Sequence, residues 1–318
     1  MIELRGLTKR WPGADRAAVD EVTLSVPEGT SCALIGPSGS GKTTTLRMVN
    51  RLVEPSGGSL RIAGEDALKQ DPVRLRRGIG YVIQEVGLFP HRSVAENVAT
   101  VPRLLGWADA RIKARVEEVL TLTGLDPARF AARRPHQLSG GERQRVGVAR
   151  ALAGDPPVLL MDEPFGAVDP VVRGRLQEEV LRLLKTLRKT VLVVTHDLEE
   201  AVRLGDAVAV LRDGRMAQHA PAAEMLARPA DGFVAEFLGS DRALKRLALL
   251  PAVAARREGR AEGEALPPGA SLRDALAALL ARGTKAVPLA DGGVATLDAV
   301  AEAGAPMSAA AAGPAGSP

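Results

Sequence analysis

The sequence predicts an α/β fold with a mostly parallel sheet core, an antiparallel β subdomain and an inserted helical subdomain. Strand-like and helix-like segments alternate from residue 1 to about 240. The near-continuous apolar runs "SCALI" (Ser31–Ile35), "PVLLM" (Pro157–Met161) and "TVLVVT" (Thr190–Thr195) have the composition of strands buried on both faces. From about Gly87 to Gly154 helical spacing dominates, as in "ARIKARVEEVLTLTGL".

Each element has a local reason. "SCALI" runs into a glycine loop, and "TTTLRMVNRL" (Thr43–Leu52) continues with helical spacing. "EPSGGSLRIAG" predicts a turn that feeds a strand. "VAVLRDGRMAQH" (Val208–His219) reads as a hairpin around Asp213–Gly214. The first domain is expected over residues 1–240. Beyond it no Phe, Trp or Tyr appears, the last being Phe237. "ARREGRAEGEALPPGA" is charged and rich in glycine and proline, so residues 241–270 read as a linker. "SLRDALAALLARG" (Ser271–Gly283) is an amphipathic helix with Ser271 as its N-cap. "TKAVPLADGGVATLDAV" then reads as strand, turn and helix start, completing a small α/β segment over 271–305. Residues 306–318 are low in complexity and are expected to be disordered.

Composition narrows the function classes. The 318 residues are 46% hydrophobic and 25% charged, as in an ordinary globular protein. The net charge of +4 comes from 42 basic and 38 acidic residues spread along the chain, which argues against a nucleic-acid partner. Cys32 is the single cysteine, so no intrachain disulfide can form and a reducing compartment is expected. Its apolar setting reads as a small buried hydrophobe. His91, His136, His196 and His219 lack zinc-ligand spacing. No apolar stretch approaches the roughly 18–20 residues of a membrane span, and "LALLPAVAA" (Leu247–Ala255) is short and split by proline. "MIELRGLTKRW" lacks the apolar core of a signal peptide. A cytoplasmic chain is therefore expected; in a membrane process another chain must form the pore.

"GPSGSGKTT" (Gly36, Pro37, Ser38, Gly39, Ser40, Gly41, Lys42, Thr43, Thr44) is a phosphate-binding P-loop. Its glycines turn backbone N–H groups toward phosphate oxygens. Lys42 reaches the β- and γ-phosphates, and Thr43 offers a hydroxyl to magnesium. ATP and Mg2+ are the cofactors this implies. "PVLLMDEP" supplies the other half of the site: Asp162, ending a buried strand, can hold the magnesium shell. Glu163 can orient or deprotonate an attacking water. A second anion-binding helix start appears in "LSGGERQRVGVARAL" (Leu138–Leu152), where Ser139, Gly140, Gly141 and Glu142 begin a helix with exposed N–H groups and positive dipole character.

"LSGGERQ" closely matches the signature motif of ABC ATPases, and residues 1 to about 240 resemble an ABC transporter ATP-binding subunit. The resemblance implies further roles. Trp11 in "TKRWPG" would stack on adenine, and Gln84 in "YVIQEVGLFPH" would be the Q-loop ligand to magnesium and water. His196 in "VVTHDLEEA" would be the switch histidine at the γ-phosphate, and Asp169 in "GAVDP" the D-loop aspartate. Gly166 and Val168 depart mildly from the usual D-loop form. The signature loop would cap ATP held by a second copy, so two chains would pair head to tail with two ATP molecules between them. Glu85 to His91 would line the groove for a permease's coupling helix.

"KTTTLRMVNRLVEPSGG", "YVIQEVGLFPHRSVAENVATVPRLLGW" and "RQRVGVARALAGDPPVLLMDEPFGAVDP" together resemble the ATPases of importers for glycine betaine, choline, carnitine or proline betaine. That implies a place on the inner face of a bacterial plasma membrane, permease subunits as partners, and a substrate read by an extracytoplasmic binding protein. Related amino-acid importers share part of the pattern. A soluble ABC ATPase usually has two fused halves or a long coiled-coil insertion, and this chain shows neither. "LPPGASLRDALAALLARGTKAVPLADGGVATLDAV" resembles a single, degenerate CBS repeat, a type of regulatory module.

Overall fold

A computed structural model of the chain describes residues 1–84, 86–166 and 168–305. β1 (Ile2–Lys9) and β2 (Val19–Val26) lead to β3 (Ser31–Ile35), the glycine loop and α1 (Lys42–Val49). Next come β4 (Gly57–Ile62), β5 (Glu65–Asp66), α2 (Pro72–Arg77) and β6 (Ile79–Val82). The helical part consists of α3 (Val94–Val98), α4 (Thr100–Leu104), α5 (Asp109–Leu122), α6 (Pro127–Phe130) and α7 (Gly140–Leu152). The chain returns through β7 (Val158–Asp162), α8 (Pro170–Thr186), β8 (Thr190–Val194), α9 (Leu198–Leu204), β9 (Ala207–Arg212) and β10 (Arg215–Pro221).

The strands form a six-stranded sheet of order β10-β9-β3-β8-β7-β6 and a four-stranded sheet of order β2-β1-β4-β5. In the larger sheet β9, β3, β8, β7 and β6 pair in parallel, and every residue of β3, β7 and β8 is buried. The smaller sheet is antiparallel, and β2 buries alternate residues along its C-terminal half. One core joins the two: Leu4, Leu24 and Leu60 meet Leu46 and Val49 of α1 and Leu34, Leu160 and Leu192 of the parallel strands. The hairpin at Asp213–Gly214 forms with φ of 50° and 81°, the positive pair that a tight primed turn requires. In the helical part α5 buries Ile112, Val116, Val119 and Leu120, an apolar stripe at helical spacing, and packs on α7.

Contacts divide the chain at His219/Ala220, earlier than the boundary at 240 that composition suggested. The second unit holds α10 (Ala222–Ala227), α11 (Gly232–Leu238), α12 (Arg242–Leu247), β11 (Arg256–Arg257), α13 (Leu272–Arg282), β12 (Ala286–Pro288), β13 (Val294–Thr296) and α14 (Leu297–Gly304). Its antiparallel sheet runs β11-β13-β12. The expected 241–270 linker is a correction: that stretch supplies α12 and β11, and Leu247, Ala252, Ala255 and Leu266 enter the unit's own core with Leu272, Leu279, Val287 and Val300. Its glycines lie outside, and Leu247, Ala252, Ala255 and Leu266 are the residues of the stretch that are buried. Ser271 caps α13 as expected, in a reciprocal box with Asp274. The expected disordered tail, 306–318, lies outside the described residues. Among the described residues no helix is long and apolar enough to cross a membrane.

Candidate functional site

The site gathers at the C-terminal ends of the parallel strands, where open α/β sheets place their ligands. β3 ends at Ile35 and the glycine loop turns at once into α1. Two positions there admit only glycine. Gly36 sits at φ 146°, and a Cβ on it would lie 2.2 Å from the Leu211 carbonyl oxygen. Gly41 sits at φ 97°, and its Cβ would lie 2.5 Å from the Ala18 carbonyl oxygen. Pro37, Ser38 and Gly39 are exposed at the tip, whereas Ser40 is buried beneath it. Thr44 lies half-buried in the first turn of α1.

Lys42 folds back over this loop. Its Nζ donates to the carbonyls of Gly36 at 2.8 Å and Pro37 at 2.9 Å. Burial lowers its pKa, and the nearby Glu163 and Asp162 work in the opposite direction. The cation is thus held where a polyphosphate bound by the loop would lie.

The strand register assembles the rest. In the parallel pair β7/β8, Asp162 lies opposite Val194. The Glu163 N–H donates to the Val194 carbonyl at 2.8 Å, so Glu163 and His196 emerge side by side. Thr43 Oγ1 donates to Asp162 Oδ1 at 3.2 Å, across 119 residues of sequence. Gln84 Nε2 donates to Glu163 Oε2 at 3.0 Å, and His196 Nδ1 faces the same oxygen at 3.3 Å. Glu163 takes φ 45°, a left-handed conformation that costs a non-glycine residue on the order of 1 kcal/mol. Burial raises the pKa of Asp162; Thr43 and Arg47 draw it down, and Glu163 pushes it up. A carboxylate so placed favours a cation beside it. The hydroxyl of Thr43, the carboxyl of Asp162 and the amide oxygen of Gln84 are all hard oxygen donors that suit magnesium. Among the described residues no three or more His, Cys, Asp or Glu cluster as metal ligands, so phosphate oxygens and water would have to complete such a shell.

The remaining predicted residues stand apart from this group. Trp11 is 45% exposed, with Lys9 Nζ 4.6 Å from its ring centroid. Asp169 is exposed, and its carbonyl accepts the Arg173 N–H in the first turn of α8. Ser139 caps α7 through a reciprocal box: Glu142 N donates to Ser139 Oγ at 3.3 Å, and Ser139 N donates to Glu142 Oε2 at 2.7 Å. The Ser139 backbone N–H holds the Glu142 carboxyl below the usual carboxylate range. Glu142, expected among the anion-binding residues, is therefore committed to its own helix start, which leaves Gly140 and Gly141 to present the terminal N–H groups.

Of the segment expected to line a docking groove, Glu85 lies outside the described residues. A cavity of about 270 Å³ opens beside the rest, lined by Arg77, Tyr81, Ile83, Phe89, Val101 and Arg150 among others. Arg150 of α7 donates to the carbonyls of Val86 and Gly87, each at 2.6 Å. It ties the helix that begins at Ser139 to the segment that follows Gln84. Sequence reading missed Arg150, Arg47, Lys9 and the Thr195–Glu200 pair. Glu200 alone carried a readable signal, an acidic residue one helical turn beyond a strand-end histidine.

Known proteins match this chain at both levels. The family model described as ABC transporter matches residues 19–166. An osmoprotectant import ATP-binding protein of Salmonella typhimurium is 54% identical over 255 residues, covering 79% of this chain and 67% of that protein. A glycine betaine uptake system ATP-binding protein of Escherichia coli is 50% identical over 291 residues, covering 91% of this chain and 94% of that one. Among solved structures, a dimeric ATP-binding cassette in a post-hydrolysis state with ADP and phosphate aligns with TM-score 0.62 and 34% identity, over 70% of this chain and 98% of the other.

Proposed function

From the premise that this chain belongs to the ABC transporter family, as an ATP-binding subunit of osmoprotectant uptake systems, we propose how its residues convert ATP hydrolysis into import. The chain is an ATPase that energises uptake of an osmoprotectant of the glycine betaine, choline or carnitine class. Its phosphate loop, with Lys42, cradles the ATP phosphates, and Trp11 stacks on the adenine. Thr43, Asp162 and Gln84 would hold magnesium, which when bound would neutralise charge on the ATP phosphates. Glu163 accepts the proton of the attacking water, oriented by Gln84 and His196. The observation that carries this reading is the single Glu163 oxygen held between Gln84 Nε2 and His196 Nδ1, beside the Thr43–Asp162 pair.

Two copies pair head to tail, each Ser139 helix start facing the ATP of the other copy, and Asp169 lies along their interface. A solved relative at 34% identity is a dimer with ADP and phosphate. Glu163→Gln keeps the shape of the side chain and removes its basicity. Hydrolysis is expected to fall by about 10²–10⁴-fold, while ATP binds and light scattering reports a stable ATP-dependent dimer. Monomer only, at saturating ATP, would overturn the pairing.

The ATPase pair seats on the inner face of the membrane against two permease subunits, with the cavity at Arg77, Phe89 and Arg150 receiving the coupling segment. An extracytoplasmic binding protein and the permease select the substrate. Residues 271–305 form a CBS-like segment that serves packing rather than osmosensing. Truncation after Gly239 then leaves the ionic-strength dependence of reconstituted transport unaltered; a lost dependence would assign sensing to the tail. A gentle-detergent pull-down from native membranes is expected to recover a multi-span permease, and ribosomal or DNA-associated proteins alone would overturn the transport role.

A further inference from the structure

Beyond the histidine itself, the segment around His196 is built as a closed ring. Thr195 is buried at the end of β8, and its N–H donates to the Leu34 carbonyl of β3 at 3.2 Å. Its hydroxyl accepts the Asp197 N–H at 3.0 Å and donates to Glu200 Oε2 at 3.0 Å. Asp197 in turn caps α9, its Oδ1 accepting the Glu200 N–H at 3.1 Å. The ring Thr195–Asp197–Glu200 thus brackets His196, the residue between its first two members, whose side chain stands 66% exposed and faces Glu163.

Glu200 is an unusual residue for a purely structural place. It is 5% exposed, and its second oxygen, Oε1, is buried with no hydrogen-bond partner. Burial pushes its carboxyl up to about 7. The charged groups that face it are Asp197, which raises it further, and Arg173 of α8 and His196, which lower it. β3 and β9, on which α9 also packs, carry Cys32 and Arg212 as their ionisable residues. An apolar residue would fill this space without an orphan polar atom, so tolerance of a buried acceptor here calls for a task.

We propose that Glu200 is a positioning residue for ATP hydrolysis, fixing the His196 imidazole against Glu163 by anchoring Thr195 and the start of α9. It acts only through His196. This inference rests on the role given to His196 above.

The test is steady-state and single-turnover ATPase of the full chain carrying Glu200→Ala, Glu200→Gln, Thr195→Val and His196→Ala, alone and in pairs. Glu200→Ala and Thr195→Val are each expected to lower kcat about tenfold with KM for ATP within about twofold of wild type. Glu200→Gln, which keeps an acceptor for the Thr195 hydroxyl, is expected to recover most of that loss. In the His196→Ala background, Glu200→Ala is expected to cost nothing further. A fluorescent-ATP titration of each variant shows that it is folded and binds nucleotide; Thr195→Val serves if Glu200→Ala fails that check. An impaired His196→Ala that Glu200→Ala or Thr195→Val impairs again sinks the positioning role alone, since the residue then acts by another route. A raised KM with unaltered kcat does the same. If His196→Ala hydrolyses ATP at the wild-type rate, the switch role of His196 falls and this inference falls with it.

Discussion

Alanine at Gly36 tests the phosphate loop most severely. The new Cβ would stand 2.2 Å from the Leu211 carbonyl oxygen and 2.8 Å from Ser40 Oγ, where ordinary contact begins at 3.4 Å. One side must move by about 1 Å, the gap between a 2.2 Å approach and ordinary van der Waals contact. Leu211 belongs to interior strand β9 and is fully buried, so the loop yields rather than the strand. The φ of 146° adds a backbone cost on the order of 1–3 kcal/mol for any residue with a Cβ. The loop carries Lys42 with it, because Lys42 Nζ is held by the Gly36 and Pro37 carbonyls. A displacement of about 1 Å in a positioned group costs about 100-fold in rate. Gly36→Ala is therefore expected to lower kcat/KM for ATP about 100-fold and to weaken ATP binding at least about tenfold, the equivalent of roughly 1.4 kcal/mol. Phosphate release and a fluorescent-ATP titration measure the two, with circular dichroism to confirm the fold. Gly39→Ala is the internal comparison: at φ 79° it bears backbone strain, yet its Cβ would meet nothing within 4 Å. Its loss should be several-fold smaller. Binding by Gly36→Ala within twofold of wild type, or equal losses in the two variants, would refute the steric argument.

Three further outcomes follow from other parts of the structure. Ser139→Arg is expected to abolish turnover and leave ATP binding by the isolated chain intact, and a purified variant with wild-type ATPase activity would remove the helix start from the opposite chain's site. Burial pushes the Cys32 thiol to about 12, so a thiol reagent at pH 8 should label it only as fast as the chain unfolds, and rapid labelling of the folded protein would contradict its buried place. Glu200 ionises near 4.5 when unfolded and near 7 when folded, so the folded state binds the extra proton and stability falls as pH rises between those values. Relative to Glu200→Gln, wild type should lose on the order of 3 kcal/mol across that window by denaturant melts, and parallel pH profiles would contradict it.

Local chemistry made much of this legible. Gly36 to Thr44 lie in one continuous strand-loop-helix unit, so spacing alone was enough to read a phosphate cradle. Asp162 and His196 were legible because each ends a run of buried apolar residues. The linker reading failed for a matching reason. The charges, glycines and prolines of residues 255–270 outnumber its apolar residues and dominate the reading of the stretch, and only the folded unit shows that Leu247, Ala252 and Leu266 converge on Leu272 and Leu279. Glu142 was read from its neighbourhood in a signature motif, whereas its hydrogen bond back to Ser139 N gives it a capping role.

The sequence by itself determined the local parts: a glycine loop between strand and helix, an aspartate ending a buried strand, an acid beside it and a second helix start, since each depends on neighbours a few residues away. Tertiary structure decided which parts meet. Gln84 and Glu163 are 79 residues apart, and Thr43 and Asp162 are 119. They come within hydrogen-bond reach because β6, β7, β8 and β3 align in parallel and in register, delivering their C-terminal ends to one edge of the sheet. The Thr195–Asp197–Glu200 ring closes locally, within six residues, and the strand alignment supplies only its anchor, the Thr195 N–H on the Leu34 carbonyl; that Glu200 is buried was decided by the tertiary structure, because burial is a property of what packs around a residue and not of the residue itself.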